Sequence, residues 1–278
     1  MGRMANTWRL TKTSWSLLKQ DRELLWLPVL SMLAILALVA AACVVGFVTG
    51  DVEEGSISGS MAVLGIVFLV AATAVGVFFE GALVAGAYDR MSGGDPTVRS
   101  AMARAAMHLP SLFGWAVITA TVGILIRFLR ERLGALGSIL TWFAEAAWAI
   151  ATYLVVPAII VDDEGPISSI KRSGGLVRQT WGENLISQAG FGLLGFVLML
   201  PAIIVGVLIG LIVPGAVGVV VGTAVGLAGV VTVMVVVGAL GIYFKTALYV
   251  YATDGQVLGG YDTNQLRNSF RTKRSGRR

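Results

Sequence analysis

Charge, cysteine and histidine are all scarce in this chain. Only 13% of its 278 residues are charged, about half of the roughly 25% usual for a soluble domain. With 56% hydrophobic residues and a mean hydropathy of +0.82, a water-soluble fold would have to expose large apolar patches. There is one cysteine, Cys43, so no intrachain disulfide can form. The run Ala40-Ala41-Ala42-Cys43 lacks the Leu expected three residues before a lipoprotein Cys, and no cleaved targeting segment is expected. The one histidine, His108, beside Leu109-Pro110, leaves no Cys/His metal cluster. HExxH, phosphate loops and paired acids within the apolar segments are also missing. The expectation is a non-enzyme without cofactor or metal. Short alternating stretches, the mark of a membrane β-barrel, are absent too.

Long apolar runs stand in their place, at about 24–49, 61–88, 110–129, 136–161, 185–213 and 215–252. Each reaches the roughly 20 residues that a helix needs to cross a bilayer core. From Leu185 to Ala252 only Lys245 is charged, and Pro214-Gly215 is the best turn signal inside that run. Two long helices there, rather than three short ones, leave both ends of the chain on one side. With six spans, 17 Lys and Arg residues then fall on the side of the termini and three (Arg127, Arg130 and Arg132) on the other. The first loop on that other side is acidic, with Asp51, Glu53 and Glu54. The positive-inside rule therefore predicts cytoplasmic N- and C-termini in the cell inner membrane. The final helix is expected to tilt, break near Gly238 or project outward. The fold class is all-α: six transmembrane helices over residues 1–262, followed by a basic tail, 263–278, held near the inner leaflet by charge. No aromatic platform accompanies that tail, so nucleic acid is not expected as a partner.

The stretch Lys12–Gln20 aligns with Lys171–Gln179, identical at four of nine positions. Residues 96–109 hold the equivalent middle place. Glu80, Tyr153 and Lys245 each lie nine residues before an aspartate: Asp89, Asp162 and Asp254. The pattern predicts three copies of one unit, an amphipathic interfacial helix followed by a transmembrane hairpin. In the first interfacial helix, residues 5–20, Trp8, Thr11, Trp15 and Leu18 share one face, with Lys12 and Lys19 mostly turned away. Ile167, Ile170, Gly174, Val177 and Trp181 do the same in the later copy, whose basic residues are Lys171, Arg172 and Arg178. Such helices lie in the headgroup region and meet anionic lipid; the alternative is a docking face for a partner protein.

Three ionisable residues sit well inside apolar segments: Glu80, Glu145 and Lys245. Charges there cost roughly 2.5 kcal/mol or more at the membrane centre and point to function or to a structural pair. Glu80 and Lys245 are expected at equal depth, as an ion pair that is either a packing clasp or part of a gate, proton relay or polar substrate site. Glu145 is expected to pair with Arg127 across the third and fourth helices. Gly218, Gly222 and Gly226 form a small-xxx-small ladder, for packing within the chain or in a homo-oligomer.

The segments Trp8–Pro28, Pro157–Trp181 and Tyr243–Gly255 resemble an uncharacterised family of six-helix prokaryotic membrane proteins, classed as a domain of unknown function. The resemblance covers nearly the whole chain and implies the six-helix fold but no activity. The layout is also similar to the membrane domain of some bacterial glycerophosphodiester phosphodiesterases, without their catalytic domain. The function expected is that of an integral membrane protein, either a channel or transporter, or a structural or accessory protein binding anionic lipid or a partner.

Overall fold

A computed structural model of the protein describes residues 14–48, 59–181, 189–256 and 258. Trp8, Lys12, the acidic stretch with Asp51, Glu53 and Glu54, and the tail 263–278 lie outside the described residues, as does the side chain of Trp181. Among the described residues every regular element is a helix. A 3-10 turn at Arg22–Leu25 leads into α1 (Trp26–Val48), followed by α2 (Gly59–Met91), α3 (Val98–Met107), α4 (Leu109–Ala151), α5 (Val155–Asp162), α6 (Pro166–Trp181), α7 (Ala189–Ile212) and α8 (Gly215–Asp254).

Among the described residues six stretches are long and apolar enough to cross a membrane: Arg22–Phe47, Met61–Met91, Leu109–Gly134, Gly137–Asp162, Gly195–Ile212 and Gly215–Asp254. The protein is an all-α polytopic membrane protein. Proline marks where helices begin. Pro28, Pro110, Pro157 and Pro166 lie in first turns, where a missing N–H costs nothing, and Pro214 is the N-cap of α8. Only Pro201 lies well inside a helix.

Two of the turns between spans need glycine. The third and fourth spans run together as α4, but Gly134 interrupts the helix at φ 58°, ψ −140°. The last hairpin turns at Gly215, φ +78°, after Pro214 in extended conformation. These are left-handed backbone positions that a Cβ would strain. Of the three alternatives for the final helix, the break near Gly238 does not occur: α8 runs unbroken for 40 residues, about 60 Å of helix against a hydrocarbon core of about 30 Å.

The fourth span carries a break of its own. Residues Thr152–Leu154 form a turn between α4 and α5, just before Pro157. Two backbone groups freed there are satisfied by one hydroxyl from α6. The Leu154 N–H donates to Ser173 Oγ at 3.0 Å, and that hydroxyl donates to the Ala151 carbonyl at 2.7 Å. Ser173 is fully buried, and a serine hydroxyl is one of the groups that can re-satisfy a freed helix backbone in a membrane.

Helix α2 is the hub, packed against α1, α3, α4, α5 and α8. The buried side chains gather at one end of the bundle, around Leu24, Leu83, Leu112, Ile159, Tyr243 and Leu248. This packed end also carries α3 and α6. Toward the other end the same spans bury few side chains: Phe47, Val63, Leu140 and Val220 are all exposed. There α7 and α8 stay in close contact, because glycines remove the side chains between them. A Cβ on Gly206 would come within 2.7 Å of the Gly222 oxygen, and one on Gly222 within 2.7 Å of the Gly210 nitrogen. Gly218 closes against Val213 in the turn, and Gly226 lies beside the Gly206 Cα. The ladder expected from spacing thus faces α7 of the same chain.

Candidate functional site

Glu80 lies on α2 and Lys245 on α8, 165 positions apart in sequence, and Lys245 Nζ donates to Glu80 Oε1 at 2.5 Å. Both helices run toward the packed end, so nine residues to Asp89 and nine to Asp254 place the pair about 13 Å from those helix ends. The ammonium also sits 5.1 Å from the centre of the Tyr153 ring, held in the turn that Ser173 stabilises. The three residues that share one spacing before an aspartate therefore meet at one point. Burial is unequal: the Lys245 side chain is 12% exposed and that of Glu80 30%.

That exposure opens onto a crevice of about 370 Å³. Helix α2 forms its floor through Gly76, Phe79 and Glu80, and α1 and α8 flank it through Ser31, Met32 and Val235. Toward the packed end the space closes. Leu24, Val84, Ala87, Leu248 and Tyr249 are completely buried, and they form a dry layer between the pair and the helix ends.

A belt of polar contacts surrounds that layer. Asp21, nearly buried, takes a two-pronged contact from Arg90, whose Nε donates to Oδ2 at 2.5 Å and whose Nη2 reaches Oδ1 and, at 2.6 Å, Asp95. His108 Nδ1 lies 3.0 Å from Asp163. The Tyr249 hydroxyl donates to Asp162 at 2.5 Å, and Arg172 bridges Asp162 at 2.6 Å and Glu164 at 2.9 Å. Burial works against the Arg172 charge, but Tyr249, Glu164 and Asp162 outweigh it and hold the guanidinium above its ordinary value. It therefore stays charged at any pH the protein meets. This belt was not anticipated. Its partners lie 69 and 87 positions apart, and the signal in the sequence was only that aspartates sit at successive helix ends.

One expected pair is corrected. Glu145 binds Arg130, not Arg127, and Thr141 accepts from the same guanidinium at 3.1 Å. Arg127 lies three residues earlier, about 300° around the helix, and its 82%-exposed side chain reaches Glu131 one turn on at 3.2 Å. Both members of the Arg130–Glu145 pair are half exposed, far from the crevice.

The interfacial segments are only partly described. Residues 14–18 are helical. Trp15 is 37% exposed, with Lys19 Nζ 5.4 Å from its ring centre. Lys171, Arg172 and Arg178 are exposed on α6. The face of α6 turned into the bundle carries Ser169, Ser173 and Val177; of the face expected to lie in the headgroup region, Val177 is thus buried in the bundle, while Ile167 is 63% exposed. Ser14 and Leu18, aligned with Ser173 and Val177, are buried likewise. Among the described residues no group of three or more His, Cys, Asp or Glu side chains is placed to hold a metal ion.

No curated protein and no solved structure matches the chain. The sequence signature of a family of unknown function (DUF6159) matches residues 58–259, from the start of α2 to beyond α8.

Proposed function

Because the chain belongs to the DUF6159 family, whose description assigns no activity, we propose a function from geometry: a membrane transport protein in which the crevice receives a solute and the Glu80–Lys245 pair closes its way to the packed end. One observation carries this reading. The crevice reaches an intramembrane ion pair and ends there, against a dry layer. A pair serving only as a clasp has no need of an opening onto one of its members. A sealed layer beyond the pair fits a gated path rather than an open channel, with passage requiring one group of helices to rock against another.

In this reading the packed end faces the cytoplasm, where the basic residues gather, and the membrane is the cell inner membrane of a bacterium. The protein is built as three repeated units. The meeting of Glu80, Tyr153 and Lys245 supports this, as does the matched burial of Ser14 with Ser173 and of Leu18 with Val177. Lys19, Lys171 and Arg178 contact anionic headgroups, each contributing roughly 1 kcal/mol. No step in this function is a chemical reaction.

Solute and ion flux into liposomes containing the purified protein tests the proposal. Glu80→Gln and Lys245→Met are expected to abolish or uncouple flux while the protein still folds. No flux by the wild type, with only a fall in melting temperature in the variants, would make the pair a packing clasp.

A further inference from the structure

The crevice has a chemical character that narrows what it can hold. At about 370 Å³ it lies near the lower end of the roughly 300–1,000 Å³ typical of small-molecule sites. Among the described residues of its wall, Glu80 and Ser31 alone carry polar side chains; Pro28, Met32, Leu83 and Ile242 are among the rest. A bare Ca2+ or Mg2+ ion is poorly served, since it wants six or more oxygen ligands. A sugar or amino acid would leave most of its polar groups unpaired against apolar walls. An organic anion would meet a carboxylate first, because Glu80 lines the crevice and Lys245 is withdrawn behind it toward Tyr153.

We propose that the crevice is a binding site for a lipophilic monocation, an organic ammonium or phosphonium with an apolar body, seated with its charge against Glu80. The proposal deepens the transport reading and uses the same crevice. Lys245 engages Glu80 through Oε1, so the ligand approaches the carboxylate from the side of the opening. Phe79 lines the crevice beside Glu80 and is an aromatic partner of the kind cations favour. Met32 and Met234 supply an unbranched, adaptable surface that accepts differently shaped apolar bodies. The flanking walls are membrane-spanning helices, so such a molecule, which partitions into the bilayer, reaches the mouth sideways from lipid.

The test is equilibrium binding of radiolabelled tetraphenylphosphonium to the full chain in nanodiscs, with empty nanodiscs subtracted. Its anionic isostere, tetraphenylborate, is run in parallel. Saturable phosphonium binding is expected, weakened about tenfold or more by Glu80→Gln, as for loss of a charge-assisted contact, with no saturable borate binding. Gly76→Leu guards against a misfolded Glu80 variant. Gly76 lines the crevice and a Cβ there meets no atom within 4 Å, so the backbone accepts a side chain whose outer atoms occupy the crevice, and the variant should abolish binding at an unchanged melting temperature. Phosphonium binding unaffected by Gly76→Leu, borate bound as tightly as phosphonium, or no saturable binding to cooperatively melting protein would overturn the proposal. The two readings fail separately. Saturable binding without flux refutes transport and keeps the site. Flux of another solute without phosphonium binding refutes the cation and keeps the path.

Discussion

Lys245 is held on two sides, by the carboxylate of Glu80 and by the face of Tyr153. Removing the cation alone strands a carboxylate at bilayer depth; removing both charges does not. Breaking a buried pair costs about 3–5 kcal/mol, and the 30% exposure of Glu80 puts Lys245→Met near the lower bound. Chemical unfolding in detergent should therefore give a loss of about 3 kcal/mol for Lys245→Met and a smaller loss for Lys245→Met combined with Glu80→Gln. Equal losses would show that the packing of the lysine stem, not its charge, matters. Depth was legible here: equal spacing to an aspartate put both residues at one level. Azimuth was not. Arg127 and Arg130 both lie within two turns of the outer end of their helix, and only the register of the hairpin decides that Arg130 meets Glu145.

Among elements, the α7–α8 hairpin and the α4–α5 junction obey different rules. The hairpin depends on absent side chains. Gly222→Leu must push α8 away from the α7 backbone, and a loss of about 1–3 kcal/mol or more is expected from overpacking. Gly238→Ala, on the same helix where a Cβ meets nothing within 4 Å, should be neutral or slightly stabilising, by up to about 1 kcal/mol. Melting temperatures of the two variants, measured side by side, check this; similar destabilisation would mean that the seam is not what holds the helices. The glycine spacing was readable because small residues mark close contact between membrane helices. The junction was not, since Pro157 inside an apolar run signals a break but not the serine that repairs it from α6.

For the whole molecule, the number of spans and the helical class were plain in the sequence, because length and hydropathy alone decide them. Which faces pack was not. In lipid both the inside and the outside of a bundle are apolar, so no periodic pattern separates them. The concentration of the core at one end could therefore not be foreseen. Orientation is a property of the entire chain and can be tested on it. Cys43 is the one cysteine and is exposed on α1, so a Cys43→Ala background permits single-cysteine mapping. In sealed inverted vesicles, Ser92→Cys at the packed end should react with an impermeant maleimide and Glu131→Cys should not. The opposite pattern would invert the topology and with it the direction of the crevice.

The unbroken run of α8 has a mechanical consequence. Gly215 lies thirty residues from Lys245, about 45 Å along the helix, and the glycine seam binds α7 to that long arm. The hairpin is then a lever whose fulcrum is the packed end. A tilt of about 10° about Lys245 sweeps the far tip through roughly 8 Å while barely shifting the ammonium itself. Small strains at the pair thus become large excursions at the opposite surface, and a load on that surface returns to the pair with multiplied force. Membrane thickness, which sets how such an arm leans, becomes an input to the site.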